Sequence, residues 1–171
     1  MNFRIQASYP KNNTAFCIVD EKISEAIETI FPMMTEDAIL IWGTSYIPLN
    51  YKYDISYMIE DIISMLKILR ENQNGELKID WPTSTFACQW LFAWHNKILT
   101  ISSKWRSESR MSSNLSDLEI NVHEFTYEWK KVLEILIENL ESCGYNIDNL
   151  KDMKMLCNEF HLIKSYGLLY S

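Results

Sequence analysis

What this chain has little of narrows its possible functions first. Its four glycines (Gly43, Gly75, Gly144, Gly167) all stand alone. Neither GxGxxG nor GxxxxGK can be written from them, so the familiar phosphate-cradling loops are excluded. Prolines also number four, and long irregular loops are therefore not expected. The cysteines (Cys17, Cys88, Cys143, Cys157) are widely spaced and form no CxxC. Free thiols in a reducing compartment are the expectation, not a disulfide framework. Three histidines (His95, His123, His161) share no ligand spacing, which argues against zinc, and no cofactor is implied. HExxH, GxSxG and EF-hand loops are missing. No run approaches the ~18 apolar residues of a membrane span. The opening MNFRIQASYPKNN has no apolar signal core, so the chain reads as cytoplasmic, with no membrane partner. Cations are scarce as well: 16 Lys and Arg against 23 Asp and Glu leave a net charge of −7. That balance argues against nucleic acid as a partner held by phosphate neutralisation, and it suits a basic protein.

What is present is a core. Of 171 residues, 47% are hydrophobic and 13% aromatic, enough for one domain without staples. The clearest pattern lies in Thr85–Trp105, TFACQWLFAWHNKILTISSKW. Phe86, Cys88, Trp90, Phe92 and Trp94 alternate along one arm, and Leu99, Ile101, Ser103 and Trp105 along the other. A two-residue turn at Asn96-Lys97 would pair Trp94 with Leu99, Phe92 with Ile101 and Cys88 with Trp105, all on one face. Leu77, Ile79 and Trp81 alternate just before it, so residues 76–105 read as a three-stranded antiparallel meander with 85–94 central. The other face of that strand (Ala87, Gln89, Leu91, Ala93) is mostly apolar, which suggests a second cover.

Around the meander, alternation predicts a strand from Phe3 to Tyr9, and apolar runs predict strands at 15–19 and 38–42. Residues 44–53, with Pro48, read as an edge strand or extended connection. Helical spacing predicts helices over 21–31 capped by Asp20, 55–71 capped by Asp54 and closed at Asn74-Gly75, 124–143 closed at Gly144, and from Asp148 to about Tyr166. SSKWRSESRMSSNLSD (102–117) reads as a surface loop. The expected class is α+β: a single domain whose antiparallel sheet, centred on the 76–105 meander, is packed by about four helices.

Candidate chemistry is thin. Cys88 with His95 or His123 could form a thiol–imidazole pair, but a thiol on the apolar face of a strand should have a raised pKa, wrong for a nucleophile. Glu36-Asp37 and Glu60-Asp61 are the obvious carboxylate pairs, and 23 acids always supply such pairs. Trp81, Trp90, Phe92, Trp94 and Trp105 could form a stacking platform, yet their like-facing neighbours are apolar rather than basic, which favours a core. Charge is more informative. Residues 117–148 hold eight acids against Lys130 and Lys131. Glu134, Glu138 and Glu141, at i, i+4 and i+7, form one acidic stripe on the strongest helix, with Glu128 nearby. We take these four as candidate contacts for a basic partner.

The phrases YKYDISYMIEDI (51–62) and IDWPTSTFACQWLFAW (79–94) are in keeping with a further likeness. In its general character, acidic, rich in Trp and Tyr and without a catalytic motif, the chain resembles the immunity proteins of bacterial toxin systems, including contact-dependent growth inhibition. The resemblance implies a non-enzymatic inhibitor that binds a cognate toxin domain, often a basic nuclease, and blocks its active site or substrate access. The alternatives from sequence are a small enzyme with a Cys/His or carboxylate site, and a subunit or adaptor of a larger assembly, for which Tyr46–Tyr53 would be the exposed patch.

Overall fold

A computed structural model describes residues 3–83, 85–106 and 115–165. The class is α+β, with the strands divided between two antiparallel sheets. The first sheet holds β1 (Phe3–Gln6), β2 (Ala38–Trp42) and β3 (Ser45–Leu49) in that order. Gly43, at φ +61°, makes the tight β2–β3 turn, where its left-handed backbone matches the twist of the strands. Pro48 lies on the outer strand β3, opposite Ile39, where a missing ladder donor is tolerated.

The second sheet is β4 (Asn74–Pro82), β5 (Ala87–His95), β6 (Ile98–Trp105) and β7 (Leu118–Asn121), in sequence order. The hairpin forms in the expected register: Trp94 faces Leu99, Phe92 faces Ile101 and Cys88 faces Trp105. Asn96 and Lys97 both take positive φ (48° and 68°), the signature of a type I′ turn. The other face of β5 lies open, with Leu91 half-buried and Ala93 exposed.

The helices are α1 (Ile23–Ile30), α2 (Ser56–Glu71), α3 (Val122–Ser142) and α4 (Met153–Leu162). The stripe Phe125, Trp129, Val132, Leu133, Leu136 and Leu140 of α3 is buried, as its spacing predicts. Phe125 touches Phe3 of β1 (4.8 Å between rings) and Phe92 of β5 (6.0 Å), so α3 spans both sheets. Trp42 and Trp90 join the sheets directly at 5.4 Å. Gly144, at φ +98°, closes α3, and the Tyr145 N–H bonds back to the Leu140 carbonyl.

Several expectations fail for physical reasons. Residues 15–19 form no strand: Phe16 packs on Tyr145, while Ile18 and Val19 stay 88% and 73% exposed with no ladder to join. The first strand ends at Gln6, not Tyr9. Asp20 does not cap α1. Its carboxylate accepts the Tyr145 hydroxyl at 2.5 Å, and Glu25 accepts the Glu21 and Lys22 N–H groups instead. Asp54 does not cap α2. A π-helical turn (Tyr51–Ile55), capped by the Asn50 side chain, leads into that helix. Asn74-Gly75 begins β4, since α2 already ends at Glu71. Asp148 lies in a turn, and α4 starts at Met153, five residues beyond the expected cap. Strand β7 went unforeseen. Residues 107–114 of the serine-rich stretch and the chain end from 166 lie outside the described residues.

Candidate protein-docking site

The acidic helix is placed by the chain just before it. β7 pairs with β6 (Leu99 opposite Ile120), and the Asn121 side chain then accepts the His123 N–H at 2.9 Å, capping α3. Because α3 starts from a fixed sheet strand and buries its apolar stripe, its outer face is fixed too. Glu134, Glu138 and Glu141 lie on that face and are exposed.

The two lysines of this helix do not neutralise the stripe, because both reach inward. Lys130 donates to the Ile163 carbonyl beyond α4 at 2.6 Å and sits 4.7 Å from the Phe160 ring centre. Lys131 meets Glu128 at 2.5 Å, one turn away on the same helix. Among the described residues, the exposed face of the second half of α3 therefore presents carboxylates without a paired cation.

Glu128 is different from the other three candidates. It is buried, and its carboxylate accepts the Ile5 N–H of β1 at 2.6 Å as well as Lys131. It is a structural link between helix and strand, and it does not face solvent. The reason is register. The β2–β3 turn closes on Trp42 and Ser45, and alternation along β2 then turns the Leu40 peptide groups toward β3. Ile5 pairs with Leu40, so its own peptide groups point to the free edge of β1, where a buried N–H needs an acceptor.

That edge opens into a cleft of about 630 Å³ between β1 and α3. Ile5, Ala7 and Ile135 give it an apolar floor, while Glu36, Glu134 and Glu138 stand along it, with Arg4 and Lys131 as the cations. Glu36 also accepts the Tyr9 N–H at 3.1 Å, which holds the segment after β1 against the rim. The outward Ile5 N–H is already taken by Glu128 and the Ala7 carbonyl by the Tyr51 hydroxyl, so the cleft offers its carboxylates and apolar floor, and not a free strand edge, to a basic segment.

The other candidates are not brought together. Cys88 is buried among aromatics, and burial pushes its thiol pKa well above the ordinary range. His95 is at the opposite end of the same strand, roughly 23 Å along at ~3.3 Å per residue, and on the other face. His123 stands at the start of α3, beside that same hairpin end, where the Val122 N–H bonds the Lys97 carbonyl at 2.9 Å. No thiol–imidazole pair forms. Glu36 and Asp37 are each engaged separately, Asp37 with the Asn50 side chain, and Glu60 accepts Ser24. Trp81, Trp90, Phe92 and Trp94 are buried, so they are core and not a stacking platform. Among the described residues no group of His, Cys, Asp and Glu could hold a metal ion, and no helix is long and apolar enough to cross a membrane. All four cysteines are free.

Compared with family models, curated proteins and solved structures, the chain matches none.

Proposed function

We propose that this chain is a toxin-neutralising immunity protein, a non-enzymatic inhibitor that docks a basic toxin domain on the outer face of α3. The observation that carries this reading is the engagement of Lys130 with Ile163 and of Lys131 with Glu128, which leaves Glu134, Glu138 and Glu141 exposed with no ion-pair partner among the described residues. Such a surface speeds the encounter with a cationic partner, and the cleft between β1 and α3 gives one of its basic side chains a place to dock. A basic nuclease, whose substrate channel is itself cationic, is the partner class this surface fits. The raised Cys88 thiol pKa and its separation from either imidazole weaken the enzymatic alternative. An adaptor role would rest on the 46–53 segment, where Tyr46 and Tyr53 are exposed but Ile47, Leu49 and Tyr51 are buried, so no contiguous apolar patch supports it.

The test begins with the reading frame beside this chain, which should encode a toxin domain, and continues with co-expression of the two; a neighbouring frame of another kind contradicts the reading. Restored growth and a one-to-one complex on gel filtration are expected. A toxin that still kills, with no complex formed, contradicts the reading.

A further inference from the structure

At the other end of α3 lies a second cavity, of about 390 Å³. Its making begins in the sequence of the hairpin. The type I′ turn at Asn96-Lys97 is tied to the first residue of α3 through the Lys97 carbonyl, which carries the Lys97 side chain to the cavity rim. His123, on the first turn of α3, and Lys164, just past α4, complete a ring of basic groups. Leu69, Val122, Leu162 and Ile163 supply an apolar wall.

The charges in this ring are not equivalent. Arg70 is committed elsewhere: its guanidinium bonds the buried Glu159 carboxylate at 3.0 and 2.9 Å and reaches Glu71 at 3.4 Å. Among the described residues, no carboxylate lies within 4.0 Å of the Lys97 or Lys164 ammonium. Glu71 also lines the cavity, but its carboxylate is paired with Arg70, so Lys97 and Lys164 meet on one cavity with no ion-pair partner of their own among the described residues, in a chain whose net charge is −7. His123 registers both of them. Burial first, then the positive charge of Lys97 and Lys164, holds its pKa below the ordinary imidazole range. Like charges held together around a cavity gain most from an anion placed between them.

We propose that this cavity binds a small phosphate monoester, its dianionic head between Lys97, Lys164 and His123 and its organic part against Leu69 and Leu162. Two lysines match the two charges of the head, and the imidazole adds a neutral donor. The volume is at the small end of ligand pockets, which fits a compact ester and not a dinucleotide. The site is distinct from the acidic face and does not depend on the toxin reading.

Binding can be followed on the full chain by NMR of the His123 ring, titrating with inorganic phosphate and with phenyl phosphate at constant ionic strength set by sodium chloride. Saturable movement of the ring signals is expected with both, at lower concentration for phenyl phosphate. Lys97→Ala and Lys164→Ala, both rim substitutions, should each weaken binding roughly tenfold, the equivalent of one charge-assisted bond. Glu138→Gln, at the acidic face, should leave it unchanged. A drop of that size in either lysine variant supports the site. A response that does not saturate, or that chloride reproduces, overturns it. So does an affinity within about twofold of the parent in both lysine variants, since a lost charge-assisted contact must cost more than that.

Discussion

Asp54 shows how a single side chain can be recruited away from the role its neighbourhood suggests. It precedes an amphipathic helix, as a cap would, yet it is buried and its carboxylate accepts the hydroxyls of Thr83 and Thr85 and the Asn50 N–H. It thus ties the β4–β5 loop to the entry of α2. Asp54→Ala removes the common acceptor of three donors and should lower the unfolding free energy by about 3 kcal/mol. Urea denaturation measures this, and an unchanged midpoint would contradict the assigned role. Tyrosines offer a second residue-scale test. Burial, and then the bond to Asp20, push the Tyr145 phenol up to about 12, and burial alone raises Tyr51 as well. Both folded-state values lie above the ordinary 10.0, so the folded chain holds these protons more tightly than the unfolded chain. Their contribution to stability is complete below pH 10; that of Tyr145 is lost as pH rises through about 12, and that of Tyr51 at still higher pH. Ultraviolet titration should therefore show a tyrosinate step that coincides with alkaline unfolding. All tyrosines ionising near their ordinary value, with the fold intact, would refute it.

At the scale of elements, Gly75 is the sharpest case. Asn-Gly after an amphipathic run looks like a helix stop, but Gly75 sits within β4 opposite Trp94. A Cβ there would come within 2.5 Å of the Trp94 ring, whose N–H bonds the Asn72 carbonyl at 3.0 Å. Gly75→Ala must displace that ring and should cost ~1–3 kcal/mol, read as a lower melting temperature with an altered near-ultraviolet spectrum of tryptophan. A melting temperature equal to the parent would show that Trp94 is not held as described. The elements legible in the sequence share one property: their signal is local and repeated. The 85–105 hairpin carries two matched alternating sets and a turn of defined chemistry, and α3 carries six apolar positions at one spacing. Strand β7 has four residues and no turn signal of its own, and it exists because the edge of β6 is free to pair with it. The apolar run at 15–19 carried a strand-like signal but meets no open edge. The acidic stripe was legible because Glu134, Glu138 and Glu141 follow helical spacing. The diversion of Glu128 to Ile5 and of Lys130 to Ile163 was not, because those partners lie 123 and 33 residues away in the chain. The cavity ring of Lys97, His123 and Lys164 escaped notice for the same reason.

On the scale of the whole molecule, Trp90 holds the two sheets in one core. Its ring lies 5.4 Å from Trp42 of the first sheet and 5.4 Å from Trp81 of its own, with Phe86 and Phe92 at 5.8 and 5.9 Å. Trp90→Ala should cost ~3–5 kcal/mol and keep a single unfolding transition, because both sheets lose the same contact. Two separated transitions would mean that the sheets are held independently. The core leaves charge as the property that differs from one end of the molecule to the other, with acids along the second half of α3 and lysines gathered at its start. Our central claim is that the acidic face receives a basic partner. The most direct measurement is the association rate at low salt, by stopped-flow fluorescence, of the basic domain expected in the neighbouring reading frame with the parent chain and with the triple variant Glu134→Lys, Glu138→Lys, Glu141→Lys. All three positions are exposed, so circular dichroism and melting temperature should match the parent. Association is expected to slow at least ~10-fold and to lose most of its dependence on salt. An unchanged rate in a folded variant would contradict it.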